Sequence, residues 1–274
     1  MITSETTVVP ESPAEAYAVY HDAGSAVFLA GSQGLQHKHD HYDVAVDLSR
    51  IGLNQIEDRD DEIAVGAMVT MAGLEQSPLV RDIAGGAICR CLGEVKDRTW
   101  KRKSTIGGLV AAKPPFSELL PVLLSLTVDV ALQDKGRMNL NDYLSCPPMG
   151  EMISHIVIAR EVVYTAYAAY RMVPTDEPYL TGAVSLYGDD TWRIVVGGRP
   201  GVAALARTAS DELTEKGMAV RENVARLASE ELEFGNYGTS SEQERRSLTV
   251  DMVRQLIKAA WKGHSAQLQS MKKK

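Results

Sequence analysis

The 274-residue sequence has few cysteines and no excess of positive charge. Its three cysteines, Cys89, Cys91 and Cys146, do not suggest a disulfide framework, and we interpret them as ordinary thiols in a reducing compartment. An iron–sulfur cluster needs more thiolate ligands than Cys89 and Cys91 supply. The net charge of -7 at pH 7 argues against a nucleic acid or an anionic membrane as the partner.

The sequence also lacks a long apolar run. Arg160 and Glu161 interrupt the longest candidate, so we expect no transmembrane helix. The first residues have neither a basic n-region nor an apolar h-region, so we do not expect a signal peptide. We therefore predict a cytoplasmic protein. Its length allows one large domain or two modest domains with real cores.

The hydrophobic pattern changes near Arg160. Before that point, strand-like runs such as 42–48 alternate with short helical segments, which is typical of an α/β arrangement. After it, two β-rich runs flank Gly188–Asp190, which is a hairpin signal, and helical segments follow. We predict an N-terminal domain of two α/β subdomains over residues 1–160 and a C-terminal α+β domain over residues 161–274.

Four local predictions can be compared directly with a structure. Ser12, Pro13 and Glu15 form a capping-box pattern that predicts a helix start. Residues 62–71 read as a strand, residues 78–92 as a helix, and residues 117–126 as a second, apolar helix.

The first candidate binding segment is LAGSQGLQ, Leu29 to Gln36. A predicted strand leads into Gly31 and Gly34, and such a turn can direct several backbone N–H groups at one anion. Glycine has no Cβ, so phosphate oxygens can approach the backbone closely. Taken alone, the segment is a weak signal, because most glycine turns that follow a strand are only turns.

The second candidate lies in KSTIGGLVAAKPPFSELLPVLLSL, residues 103–126. Thr105 offers a hydroxyl, Gly107 and Gly108 offer approachable backbone, and Glu118 stands near a helix start. The Glu118 carboxylate could accept hydrogen bonds from ribose hydroxyls, or it could be a helix charge without a ligand. Two separate glycine turns in one α/β region favour a dinucleotide site.

Other patterns carry no site prediction. HKHDHYD places His37, His39 and His41 at alternate positions, but no distant ligand set stands out, and we interpret it as a solvated loop rather than a metal site. Residues 194–206 lack the spacing of a dinucleotide fingerprint and read as a strand end and a helix start. We find no Ser-His-Asp or Cys-His constellation, so we assign no catalytic residue and no metal ligand.

The ordered set LAGSQGL, KSTIGG and SELLPVLLSL resembles the FAD-binding medium subunit of molybdenum hydroxylases of the xanthine dehydrogenase and carbon monoxide dehydrogenase type. The resemblance extends over most of the chain, since EIAVGAMVTMAGLEQSPLV, NLNDYL, EMISHIVIA and SSEQERRSLTVDMVRQLIKAA follow in the family's order. Within the family, the resemblance implies a purine-related, xanthine-dehydrogenase-like flavin subunit of bacteria.

The resemblance implies an α+β fold. A two-subdomain FAD-binding domain of the molybdopterin dehydrogenase (PCMH-like) type would precede a C-terminal domain with an antiparallel sheet and helices. It also implies an oxidoreductase subunit that is not active on substrate alone. Electrons would leave a purine at a molybdopterin-binding large subunit, pass [2Fe–2S] clusters of a small subunit, and reach FAD here before an acceptor such as NAD.

The resemblance further implies a set of cofactor-binding residues. The first loop, expected to hold the diphosphate by its backbone N–H groups, comprises Leu29, Ala30, Gly31, Ser32, Gln33, Gly34, Leu35 and Gln36. The second loop comprises Thr105, Ile106, Gly107, Gly108 and Leu109. Glu118 is expected to bind ribose or adenosine hydroxyls, Ile153 to pack near the isoalloxazine, and Tyr167 to lie near the ring.

The sequence departs from the family pattern at three places. The first loop reads Ala-Gly-Ser-Gln-Gly instead of Ala-Gly-Gly-Thr/Ser-Asp. Leu109 stands where the family usually has Asn, Asp or Glu, and Tyr167 stands where it often has a basic residue. A positive charge near the ring would favour reduced flavin, so its loss should alter the redox balance. These departures leave open a second interpretation, a structural subunit with lost or weakened FAD binding.

Overall fold

The structure is a computed structural model and describes residues 2–31, 40–238 and 240–271. The chain divides into two compact units, each assembled from several segments. Unit 1 contains Met1–Leu79, Asp97–Pro114 and Val128–Ala159; unit 2 contains Val80–Lys96, Pro115–Thr127 and Arg160–Lys274. The predicted domain boundary after residue 160 stays a prediction, and two short earlier segments also belong to unit 2.

The described residues form strands and helices that occur in groups along the chain rather than in strict alternation. The strands are β1 (Thr3–Val8), β2 (Ala26–Leu29), β3 (His41–Asp47), β4 (Ile56–Arg59), β5 (Glu62–Gly66), β6 (Val128–Leu132), β7 (Gly136–Asn139), β8 (Ile153–Ala159), β9 (Val163–Tyr170), β10 (Leu180–Tyr187), β11 (Trp192–Gly197) and β12 (Ala204–Leu205). The α-helices are α1 (Pro13–Asp22), α2 (Met71–Gln76), α3 (Ala87–Glu94), α4 (Arg98–Lys103), α5 (Ile106–Ala112), α6 (Leu119–Leu124), α7 (Leu140–Ser145), α8 (Arg207–Lys216), α9 (Arg221–Glu231) and α10 (Glu242–Met271).

Unit 1 contains two sheets. Strands β1, β3 and β2 form a parallel sheet in that order, with α1 against it and a small core that includes Ala16 and Val46. Strands β4, β5, β8, β6 and β7 form an antiparallel sheet, on which α5 packs. The predicted start of α1 is confirmed, because the Ser12 hydroxyl accepts from the Glu15 N–H at 3.2 Å.

Two local predictions differ from the structure. The strand predicted over residues 62–71 ends at Gly66, because Thr70 caps α2 by accepting from the N–H of Gly73. The helix predicted over residues 78–92 becomes regular only at Ala87. Ala84, Gly85 and Gly86 just before it have positive φ, which interrupts a right-handed helix.

Unit 2 carries an antiparallel sheet with strand order β12-β11-β10-β9. The predicted hairpin is confirmed, since β10 and β11 pair and the chain turns at Gly188–Asp190. Helix α10 covers one face of the sheet with Met252, Val253 and Leu256, all buried. The α+β fold class, with an antiparallel sheet and helices at the C-terminal end, is therefore confirmed. Over the described residues, every helix is too short or too polar to cross a membrane.

Candidate functional site

The two predicted glycine segments meet in unit 1. Gly31 follows β2 with φ of +74°, a conformation that glycine adopts without strain. A Cβ at Gly31 would lie 2.3 Å from the carbonyl oxygen of Lys103, and a Cβ at Gly108 would lie 2.2 Å from the carbonyl oxygen of Ala30. The end of β2 and the start of α5 are therefore in direct backbone contact, which side chains at these positions would prevent.

The hydroxyl of Thr105 forms hydrogen bonds on both sides of this contact. Its hydroxyl donates to the carbonyl oxygen of Ala30 at 2.9 Å and accepts from the N–H of Gly108 at 3.1 Å, so it caps α5 and holds it against β2. A β-bridge between Thr105 and Thr70 also connects the start of α5 to the start of α2. Thr105 is buried, and its polar groups are used inside the protein.

The backbone donors of the second segment are also used internally. The N–H of Ile106 donates to the carbonyl oxygen of Val69 at 3.0 Å, and that of Gly107 donates to Ala67 at 2.9 Å. A Cβ at Gly107 would lie 2.6 Å from the Cβ of Ala67. These glycines thus allow α5 to pack closely, and the N–H groups of residues 106–108 already have partners before any ligand binds.

Leu109 and Ile153 lie in the interior of unit 1. Leu109 is 1% exposed within α5, and Ile153 is 6% exposed at the start of β8, opposite Leu132. Leu109 is therefore a buried core residue of unit 1. Contact of either side chain with a cofactor stays a prediction.

Part of the predicted first loop falls outside the described residues. These positions are Ser32, Gln33, Gly34, Leu35 and Gln36, together with His37 and His39. His41 lies in β3, where its Nδ1 is 3.0 Å from the hydroxyl of Thr3. Over the described part of the chain, no group of His, Cys, Asp and Glu side chains is arranged to hold a metal ion.

Glu118 lies in unit 2 at the start of α6, as predicted, but its carboxylate is already engaged. Its Oε1 accepts from Arg171 Nη2 at 3.1 Å, and Arg171 also contacts Glu94 at 3.4 Å. Burial raises the pKa of Glu118 above its ordinary value. The cap of α6 is instead Ser117, whose hydroxyl accepts from the N–H of Leu120 at 3.0 Å.

Sequence reasoning did not identify Arg171, the ion-pair partner of the predicted residue Glu118. It directly follows β9, at even spacing from Tyr167 and Ala169, so the strand alternation directs all three to one face of the sheet. That alternation was visible in the sequence, but the pairing with Glu118 was not, because 53 residues separate the two.

Tyr167 has a buried hydroxyl with no hydrogen-bond partner among the described residues. Burial raises its pKa well above the ordinary value, so the group is a neutral phenol. An open hollow of about 430 Å³ in unit 2 has Ala169, Arg171 and Lys96 among its lining residues, and Tyr167 does not line it. A buried hydroxyl without a hydrogen-bond partner is unusual in a folded protein.

Comparison with known proteins identifies related sequences. The family described as FAD binding domain in molybdopterin dehydrogenase matches residues 3–160. A curated relative, Uncharacterized protein YgfM of Escherichia coli (strain K12), is 27% identical over 175 residues, which cover 63% of this chain and 66% of that protein. The match thus spans slightly less than two thirds of the relative's length.

Solved structures share the fold over nearly the whole chain. Quinoline 2-oxidoreductase from Pseudomonas putida 86 contains a chain with TM-score 0.85 and 23% identity, covering 94% of this chain and 97% of that one. Carbon monoxide dehydrogenase from Hydrogenophaga pseudoflava contains one with TM-score 0.84 and 20% identity, with the same coverage of 94% and 97%. At these identities, the similarity establishes the fold.

Proposed function

We propose that this chain, which belongs to the family of FAD-binding domains in molybdopterin dehydrogenases, is the FAD-binding electron-transfer subunit of a molybdenum hydroxylase. Bound FAD would supply the redox chemistry, taking electrons from [2Fe–2S] clusters and passing them to an acceptor such as NAD. The protein would supply the binding surface and the orientation of the cofactor. The subunit would therefore not oxidise a substrate alone.

The observation that carries the proposal is the contact between Gly31 and the start of α5. Two segments separated by more than 70 residues meet with bare backbone, and Thr105 holds them together. The left-handed bend at Gly31 turns the chain away from β2 at this contact. We assign the first loop, Leu29 to Gln36, as the segment whose N–H groups bind the diphosphate, and the start of α5 as its support.

The finer parts of the proposal concern the complex. We propose a molybdopterin-binding large subunit and a [2Fe–2S] small subunit as partners, in the cytoplasm. A purine or similar nitrogen heterocycle would be the substrate of the large subunit, as in xanthine dehydrogenases. Glu118 would accept hydrogen bonds from ribose hydroxyls with the lone pairs that Arg171 leaves free, while Ile153 and Tyr167 would lie near the isoalloxazine.

A second function is favoured by a specific observation. The N–H groups of residues 106–108 are all bonded within the protein, and the position after them carries the buried Leu109. A structural subunit that kept the fold and lost FAD would show these same features.

Titration of the purified chain with FAD separates the two functions. We expect binding, with the yellow absorption of oxidised flavin retained after gel filtration. Glu118→Ala should weaken binding by about 1–3 kcal/mol if the carboxylate holds ribose hydroxyls. A colourless chain that gives no heat on addition of FAD would establish the structural subunit instead.

A further inference from the structure

The end of α10 carries apolar side chains that the fold leaves in contact with solvent. Of residues 261–271, only His264 is buried, while Trp261 is 47% and Leu268 is 37% exposed. These two residues lie seven positions apart, which is about two turns, so they share one face of the helix. Trp261 stacks on the buried Trp192 with ring centroids 6.4 Å apart, which holds its ring in one orientation. Rigid apolar side chains that cluster at a surface are typical of a site that binds another protein.

A second open hollow adjoins this end of the helix. Its volume is about 500 Å³, and Leu268 lines it together with Val162, just before β9, and the turn between β10 and β11. Val162 is 40% exposed, and its carbonyl oxygen accepts from the N–H of Gly188 at 2.7 Å, which fixes the turn beside it. Two separate segments of unit 2 therefore give this hollow apolar walls.

The charged residues that line this second hollow are acidic. They are Glu161 and Asp189, and neither carboxylate forms an ion pair with a residue that the structure describes. A hydrogen bond from the N–H of Thr191 lowers the pKa of Asp189, so this carboxyl is charged at neutral pH. Arg193 is close by, but its guanidinium lies over the ring of Tyr187, 4.7 Å from the centroid. An acidic hollow with apolar walls is complementary to a segment that carries basic and apolar side chains.

This surface is remote from the ion pair between Arg171 and Glu118. Val162 precedes β9 and Arg171 follows it, and the rise of an extended strand places the two residues roughly 25–30 Å apart. The effect of a substitution at the second hollow can therefore be distinguished from an effect on the predicted cofactor residue Glu118.

We propose that the surface formed by Glu161, Val162, Asp189, Trp261 and Leu268 docks a segment of a partner protein whose contacting side chains are basic and apolar. The inference rests on the proposed function, in which the chain works inside a complex, and it assigns to unit 2 a surface that holds a neighbouring subunit. Apolar contacts with Trp261 and Leu268 provide affinity, and the two carboxylates orient the partner. Binding weakens as salt is added, because exposed charges are screened by ions.

The test measures the affinity of the full chain for the assembled pair of molybdopterin-binding and [2Fe–2S] subunits, at low and at high salt. We expect Leu268→Glu to weaken binding at least about tenfold, because it adds a charge to the apolar wall of an acidic hollow. The double variant Glu161→Gln, Asp189→Asn keeps the size and the hydrogen-bond acceptors of both side chains. It should weaken binding several-fold and reduce the salt dependence.

Two control variants change charge outside the second hollow. Gln269→Glu adds the same charge as Leu268→Glu at the next, exposed position of α10, and Glu215→Gln removes an exposed carboxylate from α8. Both should bind the subunit pair like the wild type. All four variants should retain the FAD content of the wild type.

Each other outcome overturns the inference in a recognisable way. Wild-type affinity and salt dependence in both Leu268→Glu and the double variant show that the subunit pair docks elsewhere. Equal losses in Gln269→Glu and Leu268→Glu show an effect of net charge alone. A wild-type chain that ignores the subunit pair and self-associates through Leu268 assigns the surface to a second copy. A wild-type chain that binds FAD but no subunit overturns the inference and leaves the cofactor, whereas one that binds neither overturns the proposed function as well.

Discussion

Replacing Gly108 by alanine is expected to destabilise unit 1, although alanine is the better helix former. The added Cβ would lie 2.2 Å from the carbonyl oxygen of Ala30 and 3.0 Å from the hydroxyl of Thr105. Neither atom belongs to a flexible side-chain end, so the start of α5 must move away from β2. That movement also lengthens the 2.9 Å hydrogen bond between Thr105 and Ala30.

The expected change in the free energy of unfolding combines two destabilising contributions and one stabilising contribution. Overpacking of a tight interior costs about 1–3 kcal/mol, and loss of the Thr105 hydrogen bond costs about 1 kcal/mol. The higher helix propensity of alanine stabilises the helix by at most about 1 kcal/mol. The expected net decrease in the free energy of unfolding is therefore about 1–3 kcal/mol.

Gly73 provides a matched control. Like Gly108, it is the third residue of a helix, and its N–H donates to the hydroxyl of a capping threonine, Thr70, at 3.1 Å. A Cβ there would meet nothing closer than 3.4 Å. Urea unfolding should show Gly73→Ala at or slightly above wild-type stability and Gly108→Ala clearly below it. Equal stability of the two variants would refute the close contact between α5 and β2.

Three further predictions concern unit 2. Glu118→Ala should lower the free energy of unfolding by about 1–3 kcal/mol, because it removes a partner of the largely buried Arg171. A double-mutant cycle with Arg171→Ala should show coupling between the two residues, and additive effects would contradict the ion pair. Burial lowers the pKa of His264. The stabilising contribution of His264 is therefore fully present above about pH 6.5 and is lost as the pH falls through the lower folded-state pKa. His264→Phe should flatten the decline in the urea midpoint on acidification, and an unchanged decline would exclude His264 as its cause. Gly263→Ala should lower the melting temperature, because a Cβ there would lie 2.2 Å from the ring of Tyr164. The decrease in melting temperature should be smaller in a Tyr164→Leu background. An equally large decrease in that background would point to another contact.

The sequence predicts the elements whose signals are local. The capping box at Ser12 and the hairpin at Gly188–Asp190 each depend on neighbouring residues, and each is found in the structure. The strand predicted to Met71 stops at Gly66, before the helix cap at Thr70, and Gly66 itself packs closely against another segment. A Cβ at Gly66 would lie 2.4 Å from the carbonyl oxygen of Leu53, a contact that no periodicity reveals.

The candidate site shows the same limit. Family order implies that Gly31 and Gly108 belong to one region, and in the structure Gly31 lies against Lys103 and Gly108 against Ala30. Sequence reasoning treated Gly107 and Gly108 as backbone that a ligand can approach, whereas their N–H groups already donate to Ala67 and Thr105. Which donors remain free depends on partners that are distant along the chain, and only coordinates supply them.

Hydrogen–deuterium exchange of the full chain with and without FAD tests the central claim most directly. The account predicts that FAD slows exchange of the amides in residues 29–36. Amides 106–108 should exchange slowly in both states, because their hydrogen bonds are internal. Unchanged exchange over 29–36 at saturating FAD, or fast exchange of 106–108 that slows only with FAD, would contradict the account.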